Sequence, residues 1–314
     1  MKAFLFSLSI IALTAVLPAL AQQADSITVI KNIDADDSDT WNLDFDTYVF
    51  PPACTLAWHN DAPTVELSYG ITTPDYSHKG FNEKNVEHNY LDLKLGYTDT
   101  HTLIEDSSII EYDFSYLKIV NSNRDWVKKY SDEGLKINSW SIGMHNSDGY
   151  GYKLWDDAAL LFYHSEGFDW TVMNFGDYSK VPDSATTAAN KASLKLYDDH
   201  VRFGKAWESG VKIYLTKGVA IDAAYQRSVV YPRHLFFYGA VSSGIELISQ
   251  HILSGFLEDG GKGSKAFLPI ASFVLKSALS YGFYELRQNN MNWPIKTAAP
   301  FMFETMKVGM TFSL

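Results

Sequence analysis

In the stretch Met302 to Leu314, MFETMKVGMTFSL, the residues alternate from Thr305 to the end. Met306, Val308, Met310, Phe312 and Leu314 are apolar, while Thr305, Lys307, Gly309, Thr311 and Ser313 between them are small or polar. A side-chain period of two puts one apolar and one polar face on an extended strand. The same pattern returns upstream. Val65, Leu67, Tyr69 and Ile71 alternate with Glu66, Ser68 and Gly70, and Leu91, Leu93, Leu95 and Tyr97 with Asp92, Lys94 and Gly96. Ile110, Tyr112, Phe114 and Tyr116 alternate with Glu111, Asp113 and Ser115. A soluble sandwich buries its apolar faces, whereas a membrane barrel turns them outward to lipid and its charges to the lumen.

The first 21 residues combine Lys2, an apolar run to Leu17 and the small-x-small ending Ala19-Leu20-Ala21, which predicts a secretory leader cleaved before Gln22. Its loss removes one lysine and leaves 25 basic against 37 acidic residues, a net charge of −12. That balance argues against nucleic acid as a partner. The lone Cys54 has no second cysteine to pair with and reads as a small core residue. Aromatic residues make up 15% of the chain, a richness that suits interfacial girdles.

With such a leader, the last strand resembles the closing strand of Gram-negative outer-membrane β-barrel proteins. Leu314 stands where that family usually has Phe, and Phe312 lies two places earlier. The resemblance implies an outer-membrane location with outer-membrane lipid as the surroundings. It points Ile110, Phe114, Val308 and Met310 at lipid, and Glu111, Asp113, Asp222 and Lys307 at the lumen.

Residues 22–63 form an acidic segment that lacks the Gly and terminal Glu of a calcium loop and reads as solvated. Residues 64–314 supply the barrel. Further strands are expected at 135–145, 168–175 and 201–215, the last with Arg202, Glu208 and Lys212 on its polar face. Lys217-Gly218 turns it into Val219 to Tyr225, a hairpin. Eight strands result, or ten if 158–164 and 194–201 contribute. Counting back from a periplasmic C-terminus puts the Lys217-Gly218 turn in the periplasm and the insertion at 233–287 on the outer end.

That insertion reads as two helices turning near Gly260. Tyr238, Ser242, Glu246, Gln250 and Ser254 recur every fourth place on the first, and Ser272, Lys276, Ser280 and Tyr284 on the second. Packing these polar seams against each other predicts a Glu246 to Lys276 ion pair. Glu246, Gln250 and His251 supply too few ligands for a metal, and no phosphate loop or dinucleotide fingerprint occurs, so no cofactor is expected.

One string carries catalytic chemistry. In Gly143-Met144-His145-Asn146-Ser147-Asp148-Gly149, His145 and Ser147 share a strand face, where an imidazole can take the proton of an attacking hydroxyl. The string resembles the His-x-Ser-Asn-Gly and His-x-Ser-Asn-Ala patterns of outer-membrane phospholipase A and the lipid A 3-O-deacylase, with Asp148 in place of Asn. Trp140, Ile142 and Met144 claim the lipid face, which turns His145 inward. The GYGYKLWDD that follows reads as a turn.

The reading expected from the sequence is a porin-like barrel passing or binding a small or amphiphilic molecule. Glu111, Asp113, Arg202, Asp222, Glu246 and Lys276 are its binding candidates. A lipid ester hydrolase built on His145 and Ser147, and a non-catalytic scaffold with an outer-membrane protein partner, are the alternatives.

Overall fold

The computed structural model describes residues 62–75, 87–103, 106–123, 137–155, 157–175, 192–260 and 265–314. The leader, the acidic segment and Cys54 lie outside them. Eight strands close into one antiparallel barrel, each hydrogen-bonded to its chain neighbours, with the last pairing to the first. They are β1 (Ala62–Asp75), β2 (His88–Thr102), β3 (Ile109–Asn123), β4 (Ile137–Trp155), β5 (Ala158–Phe175), β6 (Val201–Thr216), β7 (Val219–Val230) and β8 (Phe301–Ser313). Between β7 and β8 stand α1 (Phe236–Gly260) and α2 (Leu268–Arg287), the latter entered through a 3-10 turn at Lys265–Phe267. Pro269 occupies the first turn of α2, where its missing donor leaves no helical bond unmade.

The strand count is eight because 158–164 and 168–175 are one strand, and residues 194–200 form a turn rather than a ninth strand. The expected turn in GYGYKLW is likewise strand, since β4 runs on to Trp155. At the end near Leu314, here the lower end, the connections are short: 103–108, 156–157 and 217–218. Asp106 tightens the first of them, accepting from Ser108 N at 3.0 Å and Ser108 Oγ at 2.6 Å, bonds that hold its carboxyl below the usual range.

Faces follow the alternation on most strands. On β8, Val308 is 60% exposed and Met310 45%, while Lys307 is buried in the lumen. Leu67, Ile71, Leu95, Ile142, Met144, Ile213 and Ile221 join the exposed apolar wall. Apolar outside and charged inside is the arrangement of a transmembrane β-barrel. We expect Val308→Lys to cost about 2–4 kcal/mol in urea unfolding from lipid vesicles. A cost below about 0.5 kcal/mol would mean that this wall meets water.

On β3 the faces are reversed from expectation. Tyr112, Phe114 and Tyr116 are buried inside, with Ile110 on the same face, and Glu111, Asp113 and Ser115 lie outside. An eight-stranded interior must be filled by side chains, and these rings fill it against lysines. Lys212 Nζ lies 5.2 Å from the Tyr112 ring and Lys94 Nζ 4.9 Å from that of Tyr116. Opposite, Gly210 leaves space for the Tyr163 ring, which a Cβ there would meet at 2.6 Å.

The lumen is occupied by an ion-pair lattice. Lys94 bridges Glu66 at 2.6 Å and Glu208 at 2.8 Å, Lys212 holds Glu66 at 2.8 Å, and Lys307 holds Glu208 at 2.8 Å as well as Asp92. Above it a polar cavity of about 30 Å³, lined by Tyr90, Lys118, Asp169, Gln226 and Thr305, has space for one or two waters. At the upper mouth Leu194 and Tyr197, from the β5–β6 connection, pack on Phe175, Phe301 and Phe303.

Candidate functional site

The helices do not cap the barrel; they lie lengthwise on its outer wall. α1 leaves from the upper end, and the start of α2 is fastened near the lower end, where Tyr152 Oη donates to the Ala266 carbonyl at 2.6 Å. At about 1.5 Å per residue, the 20 residues of α2 cover some 30 Å, the thickness of a bilayer's hydrocarbon core. Residues Lys265–Arg287 are long and apolar enough to cross a membrane.

Beneath the helices the wall is polar. Register aligns Asp113, Asp148, His164, Ser209 and Tyr225 across five strands, and places Ser115, Asn146, Glu166, Trp207 and Arg227 beside them. Both helical seams reach this wall, and Ser242 and Glu246 of α1 also meet Arg287 of α2. Glu246 of α1 accepts from Lys205 Nζ at 2.7 Å, Trp207 Nε1 at 2.7 Å and Arg287 Nη2 of α2 at 2.8 Å. Gln250 donates to Glu166 at 2.8 Å, and Lys276 donates to Asp148. Arg227 stacks against Tyr281 at 4.8 Å, and Ser277 Oγ donates to Ser209 Oγ at 2.9 Å.

The expected Glu246 to Lys276 pair is therefore absent. The helix pair does turn just after Gly260, as expected, but α1 sets Glu246 beside Arg287 near the far end of α2 and not beside Lys276.

The remaining candidates divide between two surfaces. Asp222 is inside, 1% exposed, and Arg202 is half-buried on the inward face near the upper mouth. Glu111 and Asp113 are outside, at the edge of α2, where Tyr150 Oη donates to Glu111 at 3.3 Å and His101 lies 3.2 Å from it. His145 and Ser147 face the lumen as their parity predicts, both buried. His145 Nε2 is 3.0 Å from Asp169 Oδ1, its ring stacks on Tyr116 at 5.5 Å, and Ser147 pairs across the ladder with Ser165.

Glu166, Lys205 and Arg287 escaped the sequence reading, and Asp148 was read only as part of the catalytic string. For the strand residues the signal was present: β4 to β6 carry polar residues on both faces, where a lipid-facing strand has one.

No protein-family model and no curated protein matches the sequence. Several solved structures align with this chain, and two of them are as follows. Neisserial surface protein A (NspA) aligns over 80% of this chain and 97% of its own, with 9% identity and a TM-score of 0.36. Ail, the attachment invasion locus protein of Yersinia pestis, aligns over 82% and 100%, with 7% identity and a TM-score of 0.34. Both likenesses are too slight to say anything of activity.

Proposed function

We propose that this chain is a barrel of the Gram-negative outer membrane that binds a membrane-borne amphiphile on its outer wall, beside α2, and passes nothing through its lumen. The supporting observation is the open edge of the polar wall. Glu111, Asp113, Ser115, Asn146 and Asp148 face outward on β3 and β4, on the wall that also presents the exposed Leu95 and Met144. Carboxylates directed at hydrocarbon are costly and mark functional sites when they occur. Here Lys276 answers Asp148, and Glu111 already takes Tyr150 Oη beside His101, which leaves Asp113 foremost to meet a cationic or donor-bearing head group whose chain lies along the apolar wall. The ion-pair lattice and the apolar mouth support the second half of the reading, since neither leaves a solute path among the described residues. His145 and Ser147 are buried on the lumen side, His145 against Asp169 and Ser147 opposite Ser165, and so face away from lipid.

A fluorescent long-chain alkylamine titrated into liposomes holding the protein tests the site. Glu111→Gln with Asp113→Asn is expected to weaken binding about tenfold or more, the worth of one or two charge-assisted hydrogen bonds. Equal binding by both forms would end the amphiphile reading. Planar bilayers are expected to show no conductance steps, and steady channels would overturn the closed lumen. A protein that co-purifies with the chain in place of lipid would favour a scaffold.

A further inference from the structure

Below the upper mouth, where Arg202 is only half-buried, the fully buried charges of the lumen do not balance. Among the described residues, the inward carboxylates are Glu66, Asp92, Asp169, Glu208 and Asp222, and the inward ammonium groups are Lys94, Lys118, Lys212 and Lys307. Every lysine is committed to the first four acids: Lys94 to Glu66 and Glu208, Lys118 to Asp169, Lys212 to Glu66, and Lys307 to Asp92 and Glu208. His145 shares Asp169 with Lys118. Asp222 stands over. Lys212 sits directly across the ladder from it, yet sends its Nζ to Glu66 and to Tyr112 Oη at 3.1 Å.

The surroundings of Asp222 have the form of a small site. Gly309 on β8 lies in register between Ser68 on β1 and Asp222 on β7. A Cβ on Gly309 would strike both Ser68 Oγ and Asp222 Oδ1, so the two oxygens point into the same space above the glycine. Both atoms are buried and, among the described residues, neither has a hydrogen-bond partner. The other carboxylate oxygen, Oδ2, takes only a long bond from Tyr163 Oη at 3.5 Å. A buried carboxylate without a counter-charge costs far more than a paired one.

We propose that Asp222 and Ser68 form the binding site of a small monovalent cation, a proton or a sodium ion, that completes the charge balance of the lumen. Gly309 carries no side chain to separate the two oxygens, whose close approach to one point favours a small positive species. The groups around it are Glu66, Lys94, Tyr163, Glu208, Lys212 and Tyr214, whose charges cancel without Asp222.

Two measurements on the full chain in detergent micelles separate the sources. If the cation is a proton, the infrared spectrum shows the carbonyl stretch of a neutral carboxylic acid, and the isosteric Asp222→Asn removes it. If it is sodium, thermal unfolding rises by roughly 3 °C for each tenfold increase in sodium at constant ionic strength, made up with N-methylglucamine. Asp222→Asn then abolishes the dependence. Ser68→Ala, which leaves the carboxylate in place, is expected to shift the infrared band or to weaken the sodium effect about tenfold. Wild-type protein with neither signal, or Ser68→Ala with both unchanged, would overturn the proposal.

Discussion

Glu246→Ala is expected to cost about 3–5 kcal/mol and to free the helical hairpin from the barrel. The carboxylate is fully buried and takes bonds from Lys205 and Trp207 of the wall and from Arg287 of α2, so its loss strands two cations and one indole donor at once. Beside lipid no water replaces those bonds. Urea unfolding reads the cost, and protease cutting between the helices, with the barrel intact, reads the release. A variant that unfolds normally and resists cutting would show that apolar contacts, such as Leu253, Leu257 and Leu268 against Tyr150, hold the hairpin alone. A double-mutant cycle locates the partner. Glu246→Gln with Arg287→Met should cost less than the two singles together, whereas Glu246→Gln with Lys276→Met should be additive within about 0.5 kcal/mol.

Inside the barrel, Glu208→Ala is expected to be nearly as damaging. Glu208 Oε1 accepts from Lys94 Nζ and Tyr163 Oη, each at 2.8 Å, and Oε2 lies 2.8 Å from Lys307 Nζ. Removing one partner of a buried pair costs about 3–5 kcal/mol when the other charge is left alone. Lys94 keeps Glu66 and Lys307 keeps Asp92, so the lower figure, about 3 kcal/mol, is expected. Glu208→Gln, which retains one acceptor, should lose about half as much. A change below about 1 kcal/mol for Glu208→Ala would mean that water enters the lattice and screens it.

Much of this architecture is legible in the residues taken in order. Strict alternation on β1, β2, β7 and β8 told the two faces apart, and the charged lumen followed from Glu66, Lys94, Asp222 and Lys307. The loss of alternation after Tyr231, with apolar runs interrupted every fourth place, announced the helical insertion. These are properties of local periodicity, and a chain displays them before it folds.

Which face of a strand points inward is a different kind of fact. Period two separates Glu111, Asp113 and Ser115 from Tyr112, Phe114 and Tyr116, but the separation is the same whichever set faces lipid. On β3 the choice was made by neighbours distant in sequence. Lys94 and Lys212 needed aromatic faces inside an interior that side chains must fill, and the helix pair supplied a covering that let polar groups stand on the outside. The seams of α1 and α2 behaved alike: their spacing showed that each helix has a polar side, but the partners were a wall assembled from β4 to β7 and, for Ser242 and Glu246, Arg287 of α2. Where the polar groups of one element find their bonds depends on what the closed barrel brings alongside. Local sequence determined that these faces exist, and only the packed structure decided which way they look, because hydrogen bonds and ion pairs are satisfied between elements and not within them.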